Sequence, residues 1–406
     1  MTESVVVVGG GLAAAKAVET LRKEGFDGPL LLIGDEKRRP YERPGLSKEV
    51  LQGHAEPDSL YVHGPDYYRD AGIEVRLGDP AVALDREGRH VRLSSGERVR
   101  YARLILAAGS RPRTIDLPGS HLQGVLTLRN WEDSLALRAS LKPGRRVTLV
   151  GGGWIGLEVA AAASLAGCEV TVFERSALPL AGVLGDRIAG HFARLHEAHG
   201  VRLRTRASLL GFEGRDGHVT GVRDADGIIA ADLVVVGVGA IPNVGLAQDA
   251  GLAVGSGVLV DEHLRTDDHR IWAAGDVAEA YNTALGRRVR VEHWDNARRQ
   301  GRLAGLSVLG RPNVYDWQPY FFTDQYDLSM EYVGLAARDA EVVLRGDPEE
   351  GAFIAFWLES GRVTAAMNVN VEKVNPTLRK VVGSTVDPGR LADPGVPLAE
   401  LAPALG

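Results

Sequence analysis

The chain holds one cysteine among 406 residues, and that scarcity excludes several chemistries at once. A lone thiol forms no disulfide within the chain, completes no CxxC redox pair, and cannot supply the thiolate set that an iron–sulfur cluster takes. Cys168 stands between Gly167 and Glu169, after an alanine-rich stretch and before a valine-rich one, where it reads as a small packed hydrophobe. Positive charge is also short. Lys and Arg number 47 against 53 Asp and Glu, a net −6 that leaves no basic footprint for nucleic acid. Long apolar runs are missing: Val5–Val8, Leu30–Ile33 and Leu233–Val236 have strand length, well short of the ~18 residues of a membrane span. Met1-Thr2-Glu3-Ser4 carries no basic stretch of the kind that opens a signal peptide, so a cytoplasmic protein is expected.

Glycine is what the sequence has in excess. Its 50 residues outnumber the usual share of roughly 7%, and they fall at strand ends, where tight βα turns need them. A strand over Ser4–Val8, a glycine turn, a helix over Leu12–Glu24 and a strand over Leu30–Gly34 make one βαβ unit. The pattern returns as strand Arg146–Val150, turn Gly151-Gly152-Gly153, helix Ile155–Leu165 and strand Glu169–Glu174. Two such units imply two nucleotide sites.

The first turn, Gly9-Gly10-Gly11-Leu12-Ala13-Ala14, fits GxGxx(G/A). Gly9 permits the tight turn, Gly11 lets backbone approach a pyrophosphate, and Ala14 keeps the helix close to the strand. The helix N-terminus offers N–H groups and partial positive charge to that anion. Asp35 and Glu36 end the second strand, where a carboxylate binds ribose hydroxyls. The second turn, Gly151-Gly152-Gly153-Trp154-Ile155-Gly156, is a full GxGxxG, with Glu174 about twenty residues on. A 2′-phosphate meets that carboxylate unfavourably, so NADH is expected over NADPH, although Arg175 next door softens the exclusion. Glu158 lies one turn into the helix and has two readings. It faces a nicotinamide, or it merely complements the helix dipole.

A distant segment, Ile271-Trp272-Ala273-Ala274-Gly275-Asp276-Val277, reads as a strand, a glycine turn and an Asp opening a helix. Asp276 is either an N-cap or the acceptor for the ribityl chain of a flavin. Two buried strands run into Gly- and Pro-marked exits, Ala108-Gly109-Ser110-Arg111-Pro112 and Gly239-Ala240-Ile241-Pro242-Asn243, which look like crossings between domains. Between the fingerprints, Ala81–Arg100 alternates as a hairpin. The last hundred residues alternate over Glu341–Arg345, Phe353–Leu358 and Val363–Asn368, with a helix-like Pro376–Val382. The expected fold is α/β, with two Rossmann-like dinucleotide-binding domains and a C-terminal α+β domain. The expected boundaries are 1–113 with 241–315 for FAD, 114–240 for NADH, and 316–406.

With both fingerprints and Gly275-Asp276 in hand, the chain resembles the two-dinucleotide flavoproteins of the glutathione-reductase superfamily. Disulfide reductases of that group carry redox cysteines after the first βαβ unit, and related oxidases and peroxidases carry one cysteine near there. Here the region reads Pro40-Tyr41-Glu42-Arg43-Pro44-Gly45-Leu46-Ser47-Lys48, which resembles the PYxRPPLSK motif of oxygenase-coupled NADH–ferredoxin reductases. Gly45 replaces the second proline and moves no charged group. The resemblance implies that Arg43 and Lys48 contact FAD, with Lys48 near the reactive ring beside Glu158. It also implies flavin contacts from Arg129 in Leu128-Arg129-Asn130, from Val82 in the hairpin, from Ala108 and from Gly275 and Asp276. Glu292 and Trp294, in Glu292-His293-Trp294-Asp295-Asn296-Ala297, would lie against the isoalloxazine, and Ile155 and Gly239 would face the second nucleotide. Tyr320-Phe321-Phe322-Thr323-Asp324-Gln325-Tyr326 resembles the family's PWFWSDQY with both tryptophans replaced, as in apoptosis-inducing-factor-like relatives. That run is core or cofactor wall.

The implied activity is hydride transfer from NADH to FAD, followed by single-electron delivery to a 2Fe–2S ferredoxin that serves a P450 or dioxygenase. Rival readings are a reductase of a quinone or monodehydroascorbate, and a low-turnover NADH sensor. The tail Leu398–Leu405 is short and without basic residues, which counts against a membrane-docking helix. Arg287, Arg288, Arg290, Arg298, Arg299 and Arg302 are a solvated face or an attraction for an acidic partner.

Overall fold

The computed structural model describes residues 4–402. Met1-Thr2-Glu3, on which the expectation of no leader partly rests, and the end of the tail lie outside the described residues. The chain folds as two compact units. The first runs to Glu42 and takes in Asp58–Arg111 and Ala240–Pro319; the second takes in Arg43–Pro57, Pro112–Gly239 and the chain from Tyr320 on. The unit boundaries after Arg111 and Gly239 fall in the two Gly/Pro-marked exits. Residues 43–57, which carry Lys48, pack with the second unit.

In the first unit the strands Val5–Val8, Leu30–Gly34, Glu74–Leu77, Arg103–Leu106 and Ile271–Ala273 form one parallel sheet. Val5–Val8 lies at its centre, between Leu30–Gly34 and Arg103–Leu106. All four valines are buried, as a parallel strand covered on both faces requires. The order reverses beside Val5–Val8, because the chain adds strands first on one side and then on the other. Ligands of open α/β sheets bind at such a reversal, beyond the carboxyl ends of the strands. Helix Leu12–Lys23 follows the central strand and packs along helix Trp294–Val308. A Cβ on Gly301 would stand 2.3 Å from the carbonyl oxygen of Ala13, and one on Gly305 would stand 2.9 Å from that of Ala17. The two helices therefore touch backbone to backbone.

The second unit repeats the plan with Val125–Leu126, Arg146–Val150, Glu169–Phe173, Arg202–Arg204 and Leu233–Val236, again parallel with Arg146–Val150 at the reversal. Helix Trp154–Leu165 follows that strand. Tyr320–Gln325, Leu328–Gly334, Glu341–Asp347, Ala352–Glu359 and Arg362–Val369 form a five-stranded antiparallel sheet, with helices Asn375–Val381 and Pro388–Ala392 after it. The C-terminal stretch is thus the α+β part of the fold, as its alternating pattern indicates. Among the described residues no helix is long and apolar enough to cross a membrane.

Two local expectations are corrected. Ala81–Arg100 is three strands, Ala81–Asp85, His90–Leu93 and Arg98–Arg100, because Glu87-Gly88-Arg89 makes a first turn before the Ser95-Gly96 one. Asp276 opens no α-helix: Gly275–Val277 is a single 3-10 turn that runs straight into strand Ala278–Asn282.

The close helix contact is testable. Gly301→Ala should cost about 1–3 kcal/mol by overpacking and lower the melting temperature by several degrees in a thermal scan. Gly190→Ala, in helix Asp186–Ala198, meets only the flexible end of Arg194 at 3.4 Å and should hold or raise it.

Candidate functional site

At the first fingerprint, Gly9 has φ +139°, and a Cβ there would lie 2.1 Å from the carbonyl oxygen of Ala107. Only glycine allows the turn. Two residues on, a Cβ on Gly11 would meet nothing within 4 Å, and no side chain caps the helix that Gly11 starts. The helix therefore begins with unsatisfied N–H groups and open room in front of them, the features that receive a pyrophosphate. Ala13 and Ala14 are buried, Ala13 lying where a Cβ on Gly275 would stand 3.1 Å away. Asp35 is exposed at the end of its strand, and Glu36 accepts the Tyr41 hydroxyl at 2.5 Å.

Gly275 has φ +80°, and its N–H donates to Gln300 Oε1 at 2.9 Å. Asp276 accepts the Ser110 hydroxyl at 2.8 Å, which ties it to the start of strand Ser110–Pro112. The N-cap reading of Asp276 falls away with the missing helix. Ala108 offers its carbonyl to Asn243 at 2.8 Å, Glu292 pairs with Arg290, and Arg298 sits 5.0 Å over the Trp294 ring. Val82 is exposed on its strand.

The second fingerprint repeats these features in its own unit. Gly151 has φ +104°, with Gly237 O 2.4 Å from its would-be Cβ; Gly153 is open, and no side chain caps helix Trp154–Leu165. Gly156 is obligatory, since a Cβ would stand 2.1 Å from Gly151 O. Glu174 accepts the backbone N–H of Gly152 at 2.8 Å and of Ser176 at 2.7 Å. Its carboxylate is thereby fixed at the strand end by the glycine turn itself. Ile155 is exposed, and Gly239 has φ +104° with open space around it.

Glu158 lies beyond the first turn of its helix, which holds no acidic residue. It is 2% exposed, and its Oε1 lies 2.8 Å from Lys48 Nζ, itself 8% exposed. The Ser47 hydroxyl donates to Glu158 Oε2 at 2.5 Å and the Thr323 hydroxyl to Oε1 at 2.6 Å. All these partners donate, the pattern that a carboxylate accepts. Lys48 Nζ also stands 5.3 Å over the Phe322 ring. Arg43 donates to the carbonyl oxygen of Arg129 at 2.6 Å, and Ser134 to that of Leu46 at 2.7 Å, which anchors the loop. Burying two charges costs several kcal/mol that their attraction only partly returns, so the pair marks a functional position better than a stabilising one. The aromatic run divides by strand alternation. Phe321 packs 5.0 Å from both Trp154 and Tyr332, while Phe322 faces Lys48. Cys168 packs partly buried at the end of its helix, and burial pushes its thiol up.

Sequence reasoning passed over Ser47, Ser110, Gln300 and Thr323 as individual residues. Three of them lie inside quoted motifs, and a small polar residue next to a charged one is the only local signal they give.

Two such units, each with a glycine turn at the sheet reversal and a carboxylate at the next strand end, define an oxidoreductase built for two dinucleotides. The sequence pattern of the pyridine nucleotide-disulphide oxidoreductases matches residues 3–301, and that of the reductase C-terminal domain matches residues 320–402. The chain belongs to the pyridine nucleotide-disulphide oxidoreductase family. It is 40% identical to the ferredoxin–NAD(+) reductase component of the anthranilate 1,2-dioxygenase system of Burkholderia cepacia, over 97% of this chain and 98% of that one. It is 35% identical to putidaredoxin reductase of Pseudomonas putida, over 99% and 97%. The reductase in the covalent putidaredoxin reductase–putidaredoxin complex superposes with a TM-score of 0.95 at 35% identity, covering 98% of each chain.

Two buried histidines make stability depend on pH. Burial pushes His196 down to about 4 from 6.5, and does the same to His293 despite the carboxylates of Asp276 and Asp295 nearby. Between those values the unfolded chain binds protons that the folded one refuses, so stability is full above pH 6.5 and falls as the pH drops. Each histidine should cost about 2 kcal/mol at pH 5. Melting temperatures at pH 7 and pH 5 check this, and the gap should narrow in His196→Gln.

Proposed function

We propose that this chain is an FAD-dependent NADH–ferredoxin reductase, taking a hydride from NADH and passing electrons singly to a 2Fe–2S ferredoxin that serves a P450 or dioxygenase. The observation that carries this is the buried Lys48–Glu158 pair: the helix that begins at the second glycine turn meets a lysine, in the region where disulfide-exchanging relatives hold cysteine. When bound, a flavin supplies the conversion between one two-electron donor and two one-electron acceptors. The chain's part is binding, orientation and charge.

In the first unit Gly9, Gly11, Ala13 and Ala14 seat the FAD pyrophosphate, Asp35 and Glu36 take its ribose, Gly275 and Asp276 take the ribityl chain, and Ala108, Val82, Glu292 and Trp294 complete the cradle. The open face of Gly11 and the uncapped helix support the fit. In the second unit Gly151, Gly153, Ile155, Gly156 and Gly239 receive NADH, and Glu174 holds its ribose hydroxyls. Arg43 and Arg129 contact the flavin from their loops. Lys48 supplies positive charge that favours hydride arrival, and Glu158 offsets and aims that charge. The domains are 1–113 with 241–315 for FAD, 114–240 for NADH and 316–406 as the reductase C-terminal domain, and the compartment is the cytoplasm. With one cysteine in the chain, the iron–sulfur centre belongs to the partner.

NADH oxidation assayed with a panel of ferredoxins, quinones and ferricyanide tests the acceptor. A ferredoxin should give the highest kcat/KM, and a quinone far ahead of every ferredoxin overturns the reading. Lys48→Ala should slow flavin reduction by about tenfold or more with FAD still bound, read as flavin bleaching in a stopped-flow instrument. Glu174→Ala should narrow the preference for NADH over NADPH by roughly tenfold, measured as the ratio of kcat/KM values.

A further inference from the structure

Within the second unit a line of buried polar side chains leads away from Glu158. Thr323 Oγ1 donates to the carboxylate, and Gln325 Nε2 donates to Thr323 Oγ1 at 3.2 Å. His196 Nε2 meets Gln325 Oε1 at 2.8 Å, and the Tyr326 hydroxyl meets His196 Nδ1 at 3.4 Å, where the Tyr326 ring stacks on His199. Thr323, Gln325 and His196 are wholly buried. Strand Tyr320–Gln325 puts Thr323 and Gln325 on one face by its two-residue period, and helices Trp154–Leu165 and Asp186–Ala198 bring Glu158 and His196 to it.

The direction of each bond follows from what each group can do. An amide nitrogen only donates, so Thr323 accepts from Gln325 and turns its own proton onto Glu158. An amide oxygen only accepts, so His196 carries its proton on Nε2 and leaves Nδ1 to accept from Tyr326. Burial keeps that imidazole neutral. Every bond therefore points toward Glu158. The amide in the middle cannot pass a proton without exchanging its two ends, so the line orients and does not conduct.

We propose that Thr323, Gln325 and His196 are positioning residues for flavin reduction, holding the Glu158 carboxylate in one orientation against Lys48. This rests on the reading of the Lys48–Glu158 pair as part of the NADH-oxidising site. Without the line, the carboxylate has one hydroxyl partner, Ser47, and one ammonium partner, Lys48, left and a wider choice of rotamers.

The test uses FAD-loaded full-length variants. Thr323→Val should lower the limiting rate of flavin reduction by NADH about tenfold, leaving FAD content and the NADH dissociation constant within about twofold of wild type. Thr323→Ser keeps the hydroxyl and should recover most of the loss. Thr323→Val should also shift the flavin midpoint potential in the direction that Glu158→Gln does, since a carboxylate free to turn away from Lys48 leaves less negative charge beside it. Combined with Glu158→Gln, it should slow reduction no further than Glu158→Gln alone. The proposal falls if the two variants multiply, if Thr323→Ser is as slow as Thr323→Val, or if Thr323→Val is at the wild-type rate while Glu158→Gln is slow. A wild-type rate in Glu158→Gln removes the underlying reading of the ion pair, and this proposal with it. Should Thr323→Val not load FAD, Gln325→Leu breaks the line one residue further on and carries the same expectations.

Discussion

At the centre of each parallel sheet a strand ends against the backbone of the strand beside it. Gly9 abuts Ala107 and Gly151 abuts Gly237, at separations where a Cβ would lie 2.1 and 2.4 Å from a carbonyl oxygen. These contacts set where the following helix starts. They also fix which way its first N–H groups lie relative to the sheet reversal. A side chain at either glycine would push the strand end off its neighbour, and the open space in front of Gly11 and Gly153 would close or move. In the first unit the constraint extends outward, because Gly301 and Gly305 let a second helix lie directly on the first.

The Lys48–Glu158 pair depends on that geometry. Helix Trp154–Leu165 takes its position from Gly151 and Gly156, and it carries Glu158 to where Ser47, Lys48 and Thr323 converge. Three chain segments thus meet on one carboxylate, and none of them is close to another in sequence. A charge pair so little exposed is expensive to maintain. It persists here because hydroxyl donors occupy both carboxylate oxygens.

The parts legible in the sequence were those whose rules are local. A glycine turn between a valine-rich strand and an alanine-rich helix announces itself, and so does an acid at the next strand end. The C-terminal strands showed through their two-residue period. Glu158 stayed ambiguous because its partners lie 111 and 165 residues away, and no pattern within the helix records them. The bond between Ser110 and Asp276, 166 residues apart, escaped for the same reason. Gly301 carries no signal of its own in the sequence, because the Ala13 backbone it lies against is far away along the chain. Asp276 was expected to open a helix, but the strand that follows Val277 competes for the same backbone and wins.

The solitary thiol has a practical side. Cys168 donates to the carbonyl oxygen of Lys142 at 3.3 Å, and burial raises it above the ordinary thiol range, so little of it is thiolate near neutrality. The polypeptide is therefore a poor target for alkylating agents and a poor participant in thiol exchange. An iron–sulfur protein can be assembled in its presence from iron, sulfide and excess thiol, with no reactive cysteine on this chain to scramble or to draw the metal away.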